Sequence, residues 1–412
     1  MASVSSRSAL LSPCDIPVRL AYLSSAPLFK ETSIDRRSLP VLNTRKELNT
    51  IVKSLQSVAS LSASRDVSPP PPPSVQLISI NCSVSSFRTL VTLSGASIIH
   101  YGGHGDENDG SLLFEGTDGV AHPIRPDNLR ILFEGGKKES DRGRVGNGSE
   151  SEGRGAENSE NSDSTVLSLF NCVDDDDDDN NSVDYGPYAS NQSRYQRTKL
   201  AFVSACNSEA AGRAFVEAGV PHVIATTSLV RDESVIEFEL QFYQSLFSGS
   251  TIRDAFNTAY NTLKAAQTMV DGSDENLFVL LGEGDHGKTA LFSPYNKVQS
   301  FSRVNPRATT TVNLPNGVEV KDFVGRNFYI HNILKHFSED CRLITIVGEA
   351  GVGKTSLAVR ATRFSCERRS HFSRVNYVSF PELKEFFEAT GRRQTNTDSV
   401  TSLKVRERGA LA

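Results

Sequence analysis

The run SIIHYGGHG, residues 97–105, decides the fold when it is set beside KLAFVSAC, residues 199–206. Each is a stretch of strand-forming residues that stops at a chemically capable side chain, the first at His104 and Gly105, the second at Cys206. Apolar runs of this length bounded by turn residues read as buried strands of a mainly parallel sheet. Open α/β sheets place their sites at the carboxyl ends of the strands, so both side chains are expected at one edge. An imidazole beside a thiol there is the arrangement of a cysteine nucleophile with its base.

The flanking sequence fits such a sheet. PVRLAYLSSAPL (17–28) reads as a first strand running into a turn, and NTRKELNTIVKSLQSVA (44–60) places Leu48, Ile51, Val52, Leu55 and Val58 on one helical face. Asn43 or Thr44 is the expected cap. A polyproline turn at 69–73 precedes a strand at VQLISI, a helix at SSFRTLVTLS and the strand that ends at His104. SLLFEG and VAHPI around GTDG read as a hairpin, and PDNLRILF as a short helix. Beyond Lys199 come a strand, a helix at NSEAAGRAFVEAG, a strand at HVIATTSLV, helices at ESVIEFELQFYQSLFSG and TIRDAFNTAYNTLKAAQ, and a strand at LFVLLGEGD. This alternation predicts a three-layer α/β/α sandwich with a mainly parallel sheet.

Composition bounds the function. The 412 residues carry a net charge of −5, with the acidic excess in one internal segment, so no basic nucleic-acid surface is expected. Six cysteines without CxxC spacing argue against a zinc site or a disulfide framework and point to a reducing, cytoplasmic compartment. No run of about 18 apolar residues exists, so no membrane span is expected. Residues 1–14 read as a disordered terminus. Residues 135–197, rich in Gly, Ser, Asn, Glu and Asp with six aspartates at 174–179, read as a disordered insertion. A plain aspartate run lacks the turns that aim calcium ligands, so no ion is expected there.

At the candidate dyad, a thiol attacks as thiolate, which the positive end of a helix and a protonated neighbour favour. A helix starting at Asn207 or Ser208 would place amides near Cys206. Gly105 would let the backbone approach a substrate carbonyl, its N–H joining that of Cys206 against an oxyanion. His100 projects to the same face as His104 but deeper, where a core role is expected. His222 begins a later strand at the opposite end and reads as structural. Asp106 and Asp232 stand near strand ends, where a basic substrate side chain could pair with them, although Asp232 reads more simply as a helix N-cap.

A second constellation follows an aperiodic segment, 296–317, that reads as a linker. RLITIVGEAGVGKTSLAVRAT predicts a strand, a glycine-rich turn and a helix, with Gly348, Gly353, Lys354 and Thr355 filling G-x-x-x-x-G-K-[ST]. Glycines, Gly351 among them, let the backbone curl so that N–H groups face phosphates. Lys354 would contact the β- and γ-phosphates, and Thr355, followed by Ser356, a magnesium ion, with ATP or ADP as the expected ligand. No apolar strand ending in Asp or Glu follows Thr355, so hydrolysis is not expected.

HYGGHG together with SACNSEAAGRAFVEAGVPHVIATTSLVRDESVIEFELQFYQSLFSGSTIRDAFNTAYNTLK closely resembles the CHAT domain, a relative of the caspases and separases, from about Val18 to Gly284. The resemblance implies a caspase-like sandwich spanning 15–295, with His104–Gly105 and Ala205–Cys206 in the places of the catalytic dyad. The insertion lies between the dyad residues, whereas the cleaved caspase linker follows the cysteine, so autoprocessing is not carried over. DFVGRNFYIHNILKHF resembles the start of the STAND-class ATPases, including NB-ARC modules, and places Val324, Gly325 and Arg326 beside an adenine site. That likeness covers only the opening of such a domain, 318–390, before a polar tail at 391–412. The expected function is a CHAT-type cysteine endopeptidase in a nucleotide-regulated signalling protein, acting on a protein substrate. The alternative is a catalytically silent CHAT-like scaffold with a nucleotide switch. Homo-oligomerisation would run through a complete ATPase module, and no nucleic-acid or membrane partner is expected.

Overall fold

The computed structural model describes residues 17–31, 36–40, 42–62, 74–116, 118–134, 198–229, 232–265, 277–292, 298–304, 311–313, 323, 325–339, 341–368, 372, 374–377 and 404–405. The polyproline run, the acidic insertion, most of the polar tail and Val324 lie outside them. The strand β1 (Val18–Ser24) leads to a small antiparallel pair, β2 (Phe29–Glu31) and β3 (Arg36–Ser38), then to α1 (Thr44–Ser62) and β4 (Val75–Asn81). Then come α2 (Val84–Thr89) with a π-turn over Leu90–Ser94, β5 (Ile98–Gly102), the hairpin β6 (Leu112–Glu115) and β7 (Ala121–Ile124), and α3 (Pro126–Glu134). Past the insertion lie β8 (Leu200–Ser204), α4 (Glu209–Glu217), β9 (His222–Thr226), α5 (Asp232–Phe247), α6 (Ile252–Ala265) and β10 (Phe278–Leu281).

Seven strands form one sheet in the order β10-β9-β8-β5-β1-β4, closed at its edge by β11 (Phe301–Val304). Every pairing is parallel except β10 with β9. Side chains alternate between two faces. Leu20, Tyr22, Leu77, Ile98, Leu200 and Phe202 join the core under α1, α5 and α6. Ala21, Ile78, Ile99, Tyr101, Ala201 and Val203 join the core that includes residues of α2, α3 and α4. The expected three-layer arrangement is therefore present, and the fully buried central strands explain their continuous apolar runs. Asn43 is the cap of α1, its side-chain oxygen accepting from Lys46 N at 3.1 Å.

Two expectations need correction. Residues 301–304, read as linker, form β11, because edge pairing with β4 requires only one flank and tolerates a weakly apolar sequence. RLITIV, read as a strand, pairs with no strand among the described residues, and Leu343 and Val347 are 73% and 86% exposed. An apolar run becomes a strand only where a ladder accepts it. The strands of this region, β12 (Thr311–Asn313), β13 (Arg374–Asn376) and β14 (Lys404–Val405), pair with one another instead.

The helices α7 (Asn327–Ser338) and α8 (Lys354–Arg368) pack Ile330, Leu334, Leu357 and Phe364 onto Leu28 and Phe29. Arg368 completes this contact by pairing with the fully buried Glu115 and donating to Ala26 O at 3.1 Å. Among the described residues, no helix is long and apolar enough to cross a membrane.

Candidate active site

The register of β5 on β8 pairs Gly102 with Ser204, so His104 and Cys206 each stand two residues beyond a matched pair at the carboxyl end of adjacent parallel strands. Neighbouring strands lie about 4.8 Å apart, and the two chains stay together past the ladder. Gly103 N donates to Ser204 O at 3.1 Å. A Cβ added to Gly105 would overlap the carbonyl oxygen of Cys206. Both candidate side chains are half-buried.

His104 is held from both ends. Its carbonyl accepts from Leu113 N (3.0 Å) and from the Tyr101 hydroxyl (3.3 Å), which ties the loop to the β6–β7 hairpin. Its ring Nε2 lies 3.0 Å from the carbonyl oxygen of Pro40. A carbonyl only accepts, so Nε2 carries the proton and the lone pair is left on Nδ1. Burial pulls the imidazole below its usual range, opposed by the Pro40 carbonyl and by the charge of Asp232. The ring is thus neutral near pH 7, as a general base must be.

Cys206 sits in a turn fixed from below. Ser208 Oγ donates to Val203 O (3.0 Å) and accepts from Thr226 N (3.0 Å), while the Thr226 hydroxyl donates to Ala205 O. The helix expected to begin at Asn207 or Ser208 begins at Glu209, because Asn207 takes a left-handed conformation and Ser208 spends its hydroxyl on the strands. The space left by the missing side chain of Gly105, expected to admit a substrate carbonyl, accommodates the Cys206 carbonyl instead.

The other acidic candidates behave differently from their expectation. Asp106 is buried and already paired with Lys30, with Asn108 N and Nδ2 donating to it at 3.1 Å, so it offers nothing to a basic substrate. Asp232 is the first residue of α5, not the one before it, and its charge reaches His104. His100 is fully buried, as expected, and His222 is buried with Nδ1 2.6 Å from Nδ1 of His286. Sequence reasoning missed Pro40, whose role is played by a backbone atom that residue identity does not announce. A cavity of about 680 Å³ opens beside Pro40, lined also by Tyr22 and Asn43 and, from the C-terminal segment, by Asn327, Arg360 and Phe364. Neither His104 nor Cys206 lines it.

At the second constellation, Gly351 and Gly353 take left-handed angles and the turn runs directly into α8 at Lys354. Lys354 Nζ donates to Gly348 O (2.8 Å) and Glu349 O (2.7 Å), folding back on the loop. Gly325 and Arg326 are also left-handed, and a Cβ on Gly353 would stand 3.2 Å from the Arg326 guanidinium. The two motifs, well separated in sequence, therefore meet in space. Thr355 and Ser356 follow in the first turn of α8.

A family model described as CHAT domain matches residues 31–271. No curated protein matches the chain.

Proposed function

The chain belongs to the CHAT domain family, which gives it a caspase-like, peptidase-type domain, and from that premise we propose that it is a cysteine endopeptidase with Cys206 as nucleophile and His104 as base. The observation that carries the proposal is the placement of both residues two positions past Gly102 and Ser204 on adjacent parallel strands, with the Pro40 carbonyl fixing the ring tautomer. His104 Nδ1 takes the thiol proton as Cys206 Sγ bonds to the scissile carbonyl carbon. The carbonyl electrons move to oxygen, where the amides of Gly105 and Cys206 are the donors at hand. The C–N bond then breaks, the proton passes from His104 to the leaving amine, and water hydrolyses the thioester with His104 again as base.

Labelling by a peptide carrying a thiol-reactive electrophile, read by peptide mapping, tests the assignment. Cys206 is expected to be modified ahead of Cys341, which is exposed, and Cys366, which is half-buried, while buried Cys82 stays unmodified. Cleavage of a peptide library should disappear in Cys206→Ala. A Cys206→Ala protein that cleaves as fast as the wild type removes the proposal, and a wild-type chain that neither cleaves the library nor is labelled at Cys206 leaves the silent scaffold.

The convergence of Arg326 on Gly353 favours a second element of the reading, namely that the 348–355 loop binds the phosphates of ATP or ADP. Gly348, Gly351 and Gly353 let backbone amides turn toward the anion, Lys354 would exchange its two loop carbonyls for phosphate oxygens, and Thr355 with Ser356 would face a magnesium ion. Gly325 and Arg326, with Val324, would border the base. Isothermal titration should show nucleotide binding that falls at least about tenfold in Lys354→Ala, a loss of roughly 1.4 kcal/mol. Equal affinity in the two proteins removes the loop from the site.

A further inference from the structure

Beneath the candidate dyad, on the same face of the sheet, three ionisable side chains from three elements converge. Glu47 comes from the first turn of α1, His100 from the middle of β5 and Glu239 from α5, and one ligand-capable atom of each lies within 4.8 Å of the others. His100 and Glu239 are fully buried. Among the described residues the imidazole Nε2, 3.5 Å from Glu239 Oε1, has no hydrogen-bond partner, and neither has Glu239 Oε2. Buried polar atoms are ordinarily satisfied, so two orphans aimed into one cluster require an explanation.

The charges acting on the cluster are of one sign. Glu47 feels Asp232, and Glu239 feels Glu47; among the described residues no basic side chain acts on either. Two carboxylates in an apolar layer, beside the stacked ring of Phe202, are costly without a cation. Burial pushes both carboxyls up, Glu47 to about 8, so without a cation they hold their protons near neutral pH. Once a metal displaces those protons, a neutral imidazole and two carboxylates sum to minus two, which a divalent ion balances.

Each of the three groups also has an outer hydrogen bond that orients it. The Tyr22 hydroxyl is divided between Thr44 O (2.7 Å) and Glu47 Oε2 (2.9 Å), the Ser204 hydroxyl donates to Glu239 Oε1 (2.9 Å), and His100 Nδ1 lies 2.7 Å from the Tyr243 hydroxyl, to which it donates when Nε2 is a ligand. Such outer contacts to imidazole and carboxylate are the usual support of metal ligands. Gly102 belongs to the same construction, since a Cβ there would overlap Glu47 Oε2.

We propose that Glu47, His100 and Glu239 form a buried divalent-cation site, of the class that takes zinc or manganese, which joins α1 and α5 to β5 under the candidate dyad. Imidazole selects against calcium and magnesium, and carboxylates suit zinc and manganese. Ligands at bond lengths of about 2.1 Å around a tetrahedral ion stand about 3.4 Å apart, which the Nε2–Oε1 separation already matches. Glu47 closes the remaining gap by side-chain rotation, and Glu239 Oε2 or a water completes the shell.

Because His100 and Glu239 are fully buried, metal is supplied during folding. The full chain is unfolded, refolded with zinc or manganese chloride, desalted and assayed by elemental analysis. About one equivalent per chain is expected, with a raised thermal midpoint, retained in His222→Gln and lost in Glu239→Gln. Refolding with cobalt provides a readout on the wild-type chain alone, an intense visible absorption of a four-coordinate ion, should Glu239→Gln fail to fold. A wild-type chain that holds no stoichiometric metal and shows no cobalt band overturns the proposal, as does full retention in Glu239→Gln. None of these readouts depends on peptide cleavage.

Discussion

His104→Ala is expected to reduce kcat/KM for peptide cleavage by about 10³-fold or more while leaving the fold in place. General-base removal alone costs about 10²–10⁴-fold, and the same ring must also protonate the leaving amine. The ring is half-buried beyond the end of β5, so little stability goes with it. The imidazole must be neutral to act, and burial holds its pKa below the ordinary 6.5. The acid limb of the pH profile is therefore expected below pH 6.5. A carboxylate near an imidazole favours its protonated form, and Asp232 has that influence here. Removing the charge in Asp232→Asn should move the acid limb to still lower pH. A profile of kcat/KM in which the limb stays or moves upward would remove Asp232 from the neighbourhood of the base.

What makes this site legible in the sequence is periodicity. Two buried parallel strands have to be apolar on both faces, and their ends have to be turns, so SIIHYGGHG and KLAFVSAC announce both the sheet and its edge. The helix α1 is equally plain, since an apolar stripe and an Asn cap are local features. Features that depend on distant partners are not legible in this way. FSRV becomes a strand because β4 offers an open edge, whereas RLITIV finds no ladder among the described residues, whose strands in that region pair with one another. Local propensity is the same kind of signal in both runs; the ladder decides between them.

The cluster under the dyad shows the same limit in side-chain chemistry. Glu47 reads in sequence as an ordinary acid in the first turn of a helix, and Glu239 as one of several acids along α5. Their approach to His100 is produced by packing α1 and α5 on one face of the sheet, which no spacing in the sequence encodes. Pro40 is a harder case still, because a carbonyl oxygen is present at every residue. Only the position of the chain relative to His104 gives that one a role.

Gly105→Ala is expected to cost about 1–3 kcal/mol of stability, as forced overpacking does, and to lower kcat/KM by about 10²-fold or more. The backbone angle is not the obstacle, since Gly105 is not one of the left-handed glycines. The obstacle is space: the new methyl would overlap the Cys206 carbonyl oxygen, a backbone atom that no side-chain rotation can remove. The Cys206 turn is anchored by Ser208 and Thr226, and His104 by Leu113, Tyr101 and Pro40, so neither side yields without breaking hydrogen bonds. Whichever side moves, the backbone contact that sets the two strand ends side by side is lost. Gly287→Ala is the matched control, because a Cβ there meets Asp285 Oδ1 at 3.6 Å, an ordinary contact, and its thermal midpoint should stay near that of the wild type. A Gly105→Ala protein that melts and cleaves like the Gly287→Ala control would mean that the two strand ends are not in contact, and the dyad would lose its geometric basis.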